Sequence, residues 1–329
     1  MQTLSEISKE MKISKTEIRN YLQKEYNSFV NDHDDLNPKY LQGLLAFAES
    51  HDERIRTKVK GHIAESNFGK DNFIRLYHQD VIEFLKNLPS NSIDVLVTDP
   101  AYSGMNKKLK LGKGRIVGEY KKKGFEEGKW FEEFDDTEEN YLLFLEQARR
   151  VLKDSTGHIY IMFDSFSLLS LGAIVRKFFD VKNLITWDKV NIGMGHYFRR
   201  RHEYIMFATN GNTRKILNRS FPDVWRFKRI HSSSYPTQKP VEVFQSMIHA
   251  SCQPGYTVCD PFLGSGSAAI AAIKNGCNFI GCDISDTALE ISSNRINQYI
   301  NSGKDILQPK SSAIKGEKQF WTDAKPNKN

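Results

Sequence analysis

Thr257-Val-Cys-Asp-Pro-Phe-Leu-Gly-Ser-Gly-Ser-Ala-Ala-Ile-Ala-Ala272 decides the fold. A short apolar run ends in a carboxylate at Asp260, Gly264 and Gly266 form a turn, and an alanine-rich helix runs toward Gly276. The next apolar run, Phe279-Ile-Gly-Cys-Asp283, ends in a second carboxylate. This strand, glycine turn, helix and strand make a parallel βαβ unit. Its glycines admit a ligand to the backbone, and its second acid can accept both hydroxyls of a ribose. The order Gly264-Ser-Gly-Ser-Ala-Ala also fits a dinucleotide fingerprint, with Asp283 17 residues after Gly266, so a nicotinamide-dinucleotide site is the alternative. Asp260 separates the two, because an acid at the mouth of the turn repels a pyrophosphate but attracts a sulfonium and an α-ammonium. The nucleoside cofactor favoured is S-adenosylmethionine.

Outward from this unit, apolar runs alternate with amphipathic helices from residue 73 on. Strands are expected at 73–77, 93–98, 158–163, 184–187, 204–208, 257–259 and 279–283, and helices at 80–88, 138–152, 166–178, 240–252, 267–275 and 286–301. Seven mostly buried strands with crossover helices predict an α/β fold built on a seven-stranded, mostly parallel, doubly wound sheet. Ligands of such sheets bind at the carboxyl ends of the strands. Residues 1–70 hold eleven bases and eleven acids and read as a small helical region. Within it, Ser14 and Glu17 sit as a capping box between two short helices, a pattern similar to a helix-turn-helix, with packing or dimerisation as the alternative to DNA contact. The α/β domain spans 71–301, with insertions near 103–135 and 189–235, and 302–329 form a loose polar tail.

The chain of 329 residues has 39% hydrophobic and 26% charged residues, which excludes disorder and collagen, and its formal charge is +7. Two windows hold the excess, 103–129 with +6 and 189–239 with +9, leaving the remainder at −8. Tyr120, Trp130, Tyr197, Phe198, Trp225, Phe227 and Tyr235 lie in or beside them. Basic side chains with interleaved rings suit a phosphate backbone and exposed bases. Candidate DNA contacts are Arg199, Arg200 and Arg201, which precede a strand, and Arg226, Lys228 and Arg229. Cys252, Cys259, Cys277 and Cys282 show no C-x-x-C spacing and read as buried thiols, so neither zinc nor a disulfide is expected. No secretory leader or apolar stretch long enough to span a bilayer is apparent, which predicts a cytoplasmic protein without membrane partners.

Ser92-Ile-Asp-Val-Leu-Val-Thr-Asp-Pro-Ala-Tyr102 is a second strand that delivers Asp99, Pro100 and Tyr102 to the same edge. A base amino group is a weak nucleophile because its lone pair is delocalised into the ring. A carboxylate and a backbone carbonyl that accept its hydrogens localise that pair, and Tyr102 can stack on an extruded base. Tyr235-Pro-Thr-Gln-Lys-Pro240 leads into a helix, so Lys239 at its N-terminus, with the Thr237 hydroxyl, can hold a carboxylate such as that of a methionine moiety.

Asp99-Pro-Ala-Tyr, Thr237-Gln-Lys-Pro and Asp260-Pro-Phe-Leu-Gly-Ser-Gly together resemble the amino-methylating DNA methyltransferases, over about residues 74–300. Because the Asp99 motif precedes the glycine loop, the order is similar to that of the group called β. The resemblance implies a Rossmann-like methyltransferase fold and methyl transfer from S-adenosylmethionine to adenine N6 or cytosine N4. It also implies duplex DNA as partner, with a second copy of the chain and a cognate restriction endonuclease as further candidates. By motif matching, Asp99, Pro100 and Tyr102 are catalytic, while Asp80, Thr237, Lys239, Asp260, Phe262, Gly264, Gly266 and Asp283 bind the cofactor. Ala101 departs from the family's usual second proline. The leading Asp, where cytosine-specific relatives often carry Ser, favours adenine.

Overall fold

The computed structural model describes residues 62–69, 71–100, 134, 137–193, 197–211, 214–218, 220–230, 235 and 237–317, together with Ile18 and Leu22. The chain divides into two compact units, 1–62 and 63–329. In the first, Ile18 and Leu22 are buried helical positions. The helix-turn-helix reading, Tyr102 and most of the 103–135 insertion lie outside the described residues.

The described part of the second unit is one mixed sheet. Its strands are β1 (His62–Phe68), β2 (Asn72–His78), β3 (Val95–Thr98), β4 (His158–Phe163), β5 (Asp180–Asp188), β6 (His202–Thr209), β7 (Val224–Arg226), β8 (Thr257–Asp260) and β9 (Asn278–Asp283). Their spatial order is β1-β2-β9-β8-β3-β4-β6-β5-β7. Neighbours from β2 through β9, β8 and β3 to β4 run parallel, and β6 pairs antiparallel with both β4 and β5. All seven expected strands are present. The two additional ones correct the count from seven to nine among the described residues: β1 falls where a helical region was expected, and β7 lies inside the second basic insertion.

Among the described residues six helices cover the sheet, α1 (Val81–Asn87), α2 (Glu138–Val151), α3 (Ser165–Val175), α4 (Val241–Ser251), α5 (Ser267–Lys274) and α6 (Asp286–Ser302). Strand periodicity divides the core between two faces. Val95, Val97, Tyr160 and Met162 pack with Phe244, Ala268 and Ile296 from α4, α5 and α6. The alternate residues Leu96, Ile159, Ile161 and Phe163 pack with Phe84, Phe144 and Leu171 from α1, α2 and α3. This is the doubly wound arrangement expected from the crossover pattern. None of the described helices is long and apolar enough to cross a membrane.

The stretch after α6 differs from a loose tail. Gln308 and Ser312 are buried, Gln308, Ser311 and Ser312 all bond the Glu242 carboxylate, and Ala313 bridges to Phe227. Its polar composition reflects hydrogen bonding to a buried acid rather than solvation.

Candidate active site

Parallel register brings the strand-end acids together. Leu96 is level with Cys259, Cys259 with Ile280 and Tyr77 with Cys282, so Asp99, Asp260, Asp283 and Asp80 emerge along one edge of the sheet. They line a single cavity of about 350 Å³ together with Pro100, Phe262 and Gly264. Two segments 160 residues apart in sequence thus face each other across one space.

Local chemistry fixes each wall. Asp80 caps α1, its Oδ1 accepting from the Ile82 and Glu83 amides at 2.8 and 3.3 Å. Asp283 Oδ2 accepts from the Gly264 amide at 2.8 Å and Oδ1 from Ser285 at 2.9 Å, which orients the carboxylate toward the glycine loop. Asp260 accepts from Phe262 N at 3.1 Å and is otherwise enclosed. Burial, with some relief from that amide and further opposition from Asp99 and Asp283, pushes the Asp260 carboxyl well above the usual carboxylate range. Burial also raises Asp283, although the Ser285 and Gly264 amides oppose it. Phe262 stands edge-on to Phe134, with ring centroids 5.4 Å apart.

Gly264 has φ +50°, and a Cβ there would lie 3.3 Å from the Tyr235 hydroxyl, so a side chain would strain the backbone and crowd the cavity wall. Gly266 is not among the residues that line the cavity; it has φ +77° and a Cβ would meet Ser292 Cβ on α6 at 3.0 Å, so a glycine there lets α6 pack closely.

Lys239 lines the same cavity, and its Nζ donates to Asp99 Oδ2. The lysine is only 12% exposed, and Glu203 Oε2 lies 3.9 Å from the same nitrogen, so a buried ammonium takes the acids within reach. Burial alone would lower the Lys239 pKa, yet Asp99 and Glu203 outweigh it and raise it. Asp99 is raised by burial, with Lys239 opposing and Glu203 reinforcing the shift. Thr237, with φ +60°, lines the cavity two residues upstream.

The candidate DNA-binding side chains divide into two groups. Arg201 makes two bonds of 2.6 Å to Asp188, and Arg226 reaches the same acid at 3.4 Å and also pairs with Glu317. These two brace the ends of β5, β6 and β7, because Asp188 ends β5 beside both neighbours. Arg200 bonds Asp164 at 3.3 Å over the Phe166 ring, and Arg199 bonds the Gly193 carbonyl. Lys228 is exposed, Arg229 Nε is buried, and Tyr197 and Phe198 project fully into solvent. Glu203 carries charge beside Asp99, Lys189 and Asp164 carry charge beside Glu203, and the sequence reading names none of the three. Their one sequence signal is Glu203 at the entrance of the otherwise apolar run Tyr204–Ala208.

The family model described as DNA methylase matches residues 93–294, more than half of the chain. The protein belongs to this DNA methylase family. Among similar proteins, the Type II methyltransferase M2.MboI of Moraxella bovis is 29% identical over 74% of this chain and 96% of its own length. The DNA adenine methyltransferase YhdJ of Escherichia coli is 26% identical over 68% of this chain and 82% of its own. The solved PvuII DNA methyltransferase, described as cytosine-N4-specific, has a TM-score of 0.50 at 13% identity, covers 71% of this chain and 95% of its own, and shares the fold.

Membership bears out the resemblance carried by the three motifs. This methylase modifies DNA at adenine N6 or cytosine N4, with S-adenosylmethionine as methyl source. The cavity fits that cofactor on its own chemistry. It has acids for a cation and for ribose hydroxyls, an apolar ring at Phe262 for a base, and a glycine-loop wall with no side chain at Gly264. Among the described residues, neither Asp260 nor Asp283 has a lysine or arginine within 4 Å to neutralise it.

Proposed function

We propose that this methylase acts on the N6 amino group of adenine in duplex DNA, with the target base extruded into the cavity. The observation that carries the reading is that Asp99 and Pro100 share one cavity with Asp260, Gly264 and Asp283. Asp260, Asp283, Asp80 and Phe262 would hold S-adenosylmethionine, with Thr237 at the rim. When bound, that cofactor supplies an electrophilic methyl group on a sulfonium.

The remaining work belongs to the chain. Asp99 accepts one amino hydrogen and the Pro100 carbonyl the other, which localises the nitrogen lone pair and orients it. Asp99 need not be a strong base, because the proton on a methylated heteroaromatic amine is acidic and leaves readily. Tyr102 stacks on the extruded base. Arg199, Arg200, Lys228 and the Tyr197–Phe198 tip contact the duplex, while Arg201 and Arg226 brace that surface. Adenine is favoured by the leading Asp99 and by the adenine-specific name of the relative YhdJ. The cytosine-specific neighbour supports a common fold only.

Nucleoside chromatography of treated DNA tests the reading, with N6-methyladenine expected and N4-methylcytosine refuting the base assignment. Asp99→Ala should abolish transfer while S-adenosylmethionine binding persists. Joint loss of both would make Asp99 structural.

A further inference from the structure

Behind Asp99 the side chains form a row of alternating charge. Lys239 Nζ bonds Asp99 Oδ2 and lies 3.9 Å from Glu203 Oε2. On its other oxygen Glu203 accepts from Lys189 Nζ at 2.9 Å. Lys239 and Lys189 are 12% and 15% exposed, so water screens this row weakly. Glu203 enters β6 opposite Trp187 on β5, and Lys189 follows directly after β5. Each lysine lies within two residues of a β-branched residue in left-handed backbone, Val190 with φ +67° next to Lys189 and Thr237 with φ +60° two residues before Lys239. Such conformations persist only where the surroundings enforce them.

The pairing creates a competition. Lys239 occupies one oxygen of the carboxylate that is to receive the substrate amino group. We infer that Glu203 is a positioning residue, a second seat to which Lys239 moves as the amino group engages Asp99, with Lys189 tuning how strongly Glu203 attracts it. The step is short, since closing 3.9 Å to an ordinary charged hydrogen bond needs a shift of about 1 Å. It keeps the ammonium paired in both positions, whereas a lysine released without a partner would leave an uncompensated buried charge.

The row also sets the ionisation of Asp99. Asp99 faces Lys239, Glu203, Asp260 and Tyr235, and Lys239 faces Asp99, Glu203 and Asp164. Glu203 faces Lys239, Lys189 and Asp164, and Asp164 is paired with Arg200. Removing the negative charge of Glu203 eases ionisation of Asp99, while removing the positive charge of Lys189 opposes it.

The inference rests on Asp99 as the amino-binding carboxylate. Its test is the pH dependence of single-turnover methyl transfer by the full chain, with S-adenosylmethionine affinity measured in parallel. Glu203→Gln should slow transfer at least tenfold, change cofactor affinity less than threefold, and move the acid limb to lower pH. Lys189→Met should move that limb to higher pH, and Glu203→Asp should recover part of the lost rate. Acid limbs that stay fixed, or move in the same direction in both variants, overturn the inference while wild-type methylation still upholds the proposed function. Absence of methyl transfer by the wild type overturns both. If Glu203→Gln does not fold, the Lys189→Met shift alone decides.

Discussion

Replacing Glu242 by alanine should loosen the C-terminal stretch and lower the stability of the whole α/β unit. Glu242 is 5% exposed, and its carboxylate accepts from Gln308 Nε2, Ser311 Oγ and Ser312 Oγ, each at 2.6 Å, and from Ser312 N at 3.0 Å. Gln308 Oε1 accepts from the Val241 amide at 2.8 Å, tying the stretch to the first turn of α4. Truncation strands four donors around a vacated site. At about 1 kcal/mol each, the low end for an unsatisfied buried donor, and with partial relief by water, the loss is about 3 kcal/mol. For a domain of this size that corresponds to a melting midpoint lower by about 6–12 °C.

Burial opposes the charge on Glu242, but Ser311, Ser312 and Gln308 outweigh it and hold its pKa below the ordinary 4.5. Its contribution is therefore complete above about pH 4.5 and is lost as pH falls through the lower folded value. Thermal denaturation at several pH values checks both statements, and the wild-type advantage over Glu242→Ala should shrink below pH 4.5. The double variant Glu242→Ala with Ser312→Ala should be no less stable than Glu242→Ala alone. Fully additive losses would refute the carboxylate as the hub.

Gly266→Ala forces a left-handed alanine against Ser292 Cβ at 3.0 Å and should cost about 2–4 kcal/mol, read as a fall in melting midpoint; a neutral variant would show that α6 yields. Asp260→Asn should weaken S-adenosylmethionine binding about tenfold or more at neutral pH. It should also flatten the loss of affinity that the wild type shows as Asp260 protonates, and calorimetry giving the same pH slope in both would refute the assignment. His158 is fully buried between Ser251 Oγ and the Arg214 carbonyl, and burial, with Arg214 adding to it, lowers its pKa to about 4. The unfolded chain therefore binds a proton that the folded chain refuses between pH 6.5 and 4. Stability should fall on acidification across that window by up to about 1.4 kcal/mol per pH unit from this residue, and His158→Gln should remove that component.

What the sequence displayed and what it concealed follow from the range of the forces involved. The seven strands it announced are continuous apolar runs such as His158–Phe163, whose burial on both faces leaves a local mark. The short strand Val224–Arg226 leaves none. Three residues become a strand because Trp225 is buried beside Trp187 and the ladder to β5 is available, and neither condition is local. The edge strand His62–Phe68 carries Glu, Ser and Asn among its residues, a composition that edges favour and that blurs a strand pattern. The acids of the site were legible because each ends an apolar run, and parallel register then gathers them. The partner of Lys239 was not, since Asp99 lies 140 residues away and is brought to it only by the fold.

The same register explains why one edge serves two chemically different occupants. Parallel strands bring Asp99, Asp260 and Asp283 into a space too small to hold three bare carboxylates without compensation. On the Asp99 side the chain supplies it internally, through Lys239 shared with Glu203, so an incoming group need carry no charge and a neutral amine fits. On the glycine-loop side, among the described residues, Asp260 and Asp283 receive backbone amides but no cationic side chain within 4 Å, so compensation must arrive with the ligand. Under the proposed function a positively charged donor and a neutral acceptor are thereby sorted to opposite walls before either is bound. Removing a charge from either wall, by neutralising Asp260 or by removing Lys239, should disturb the occupant of that wall first.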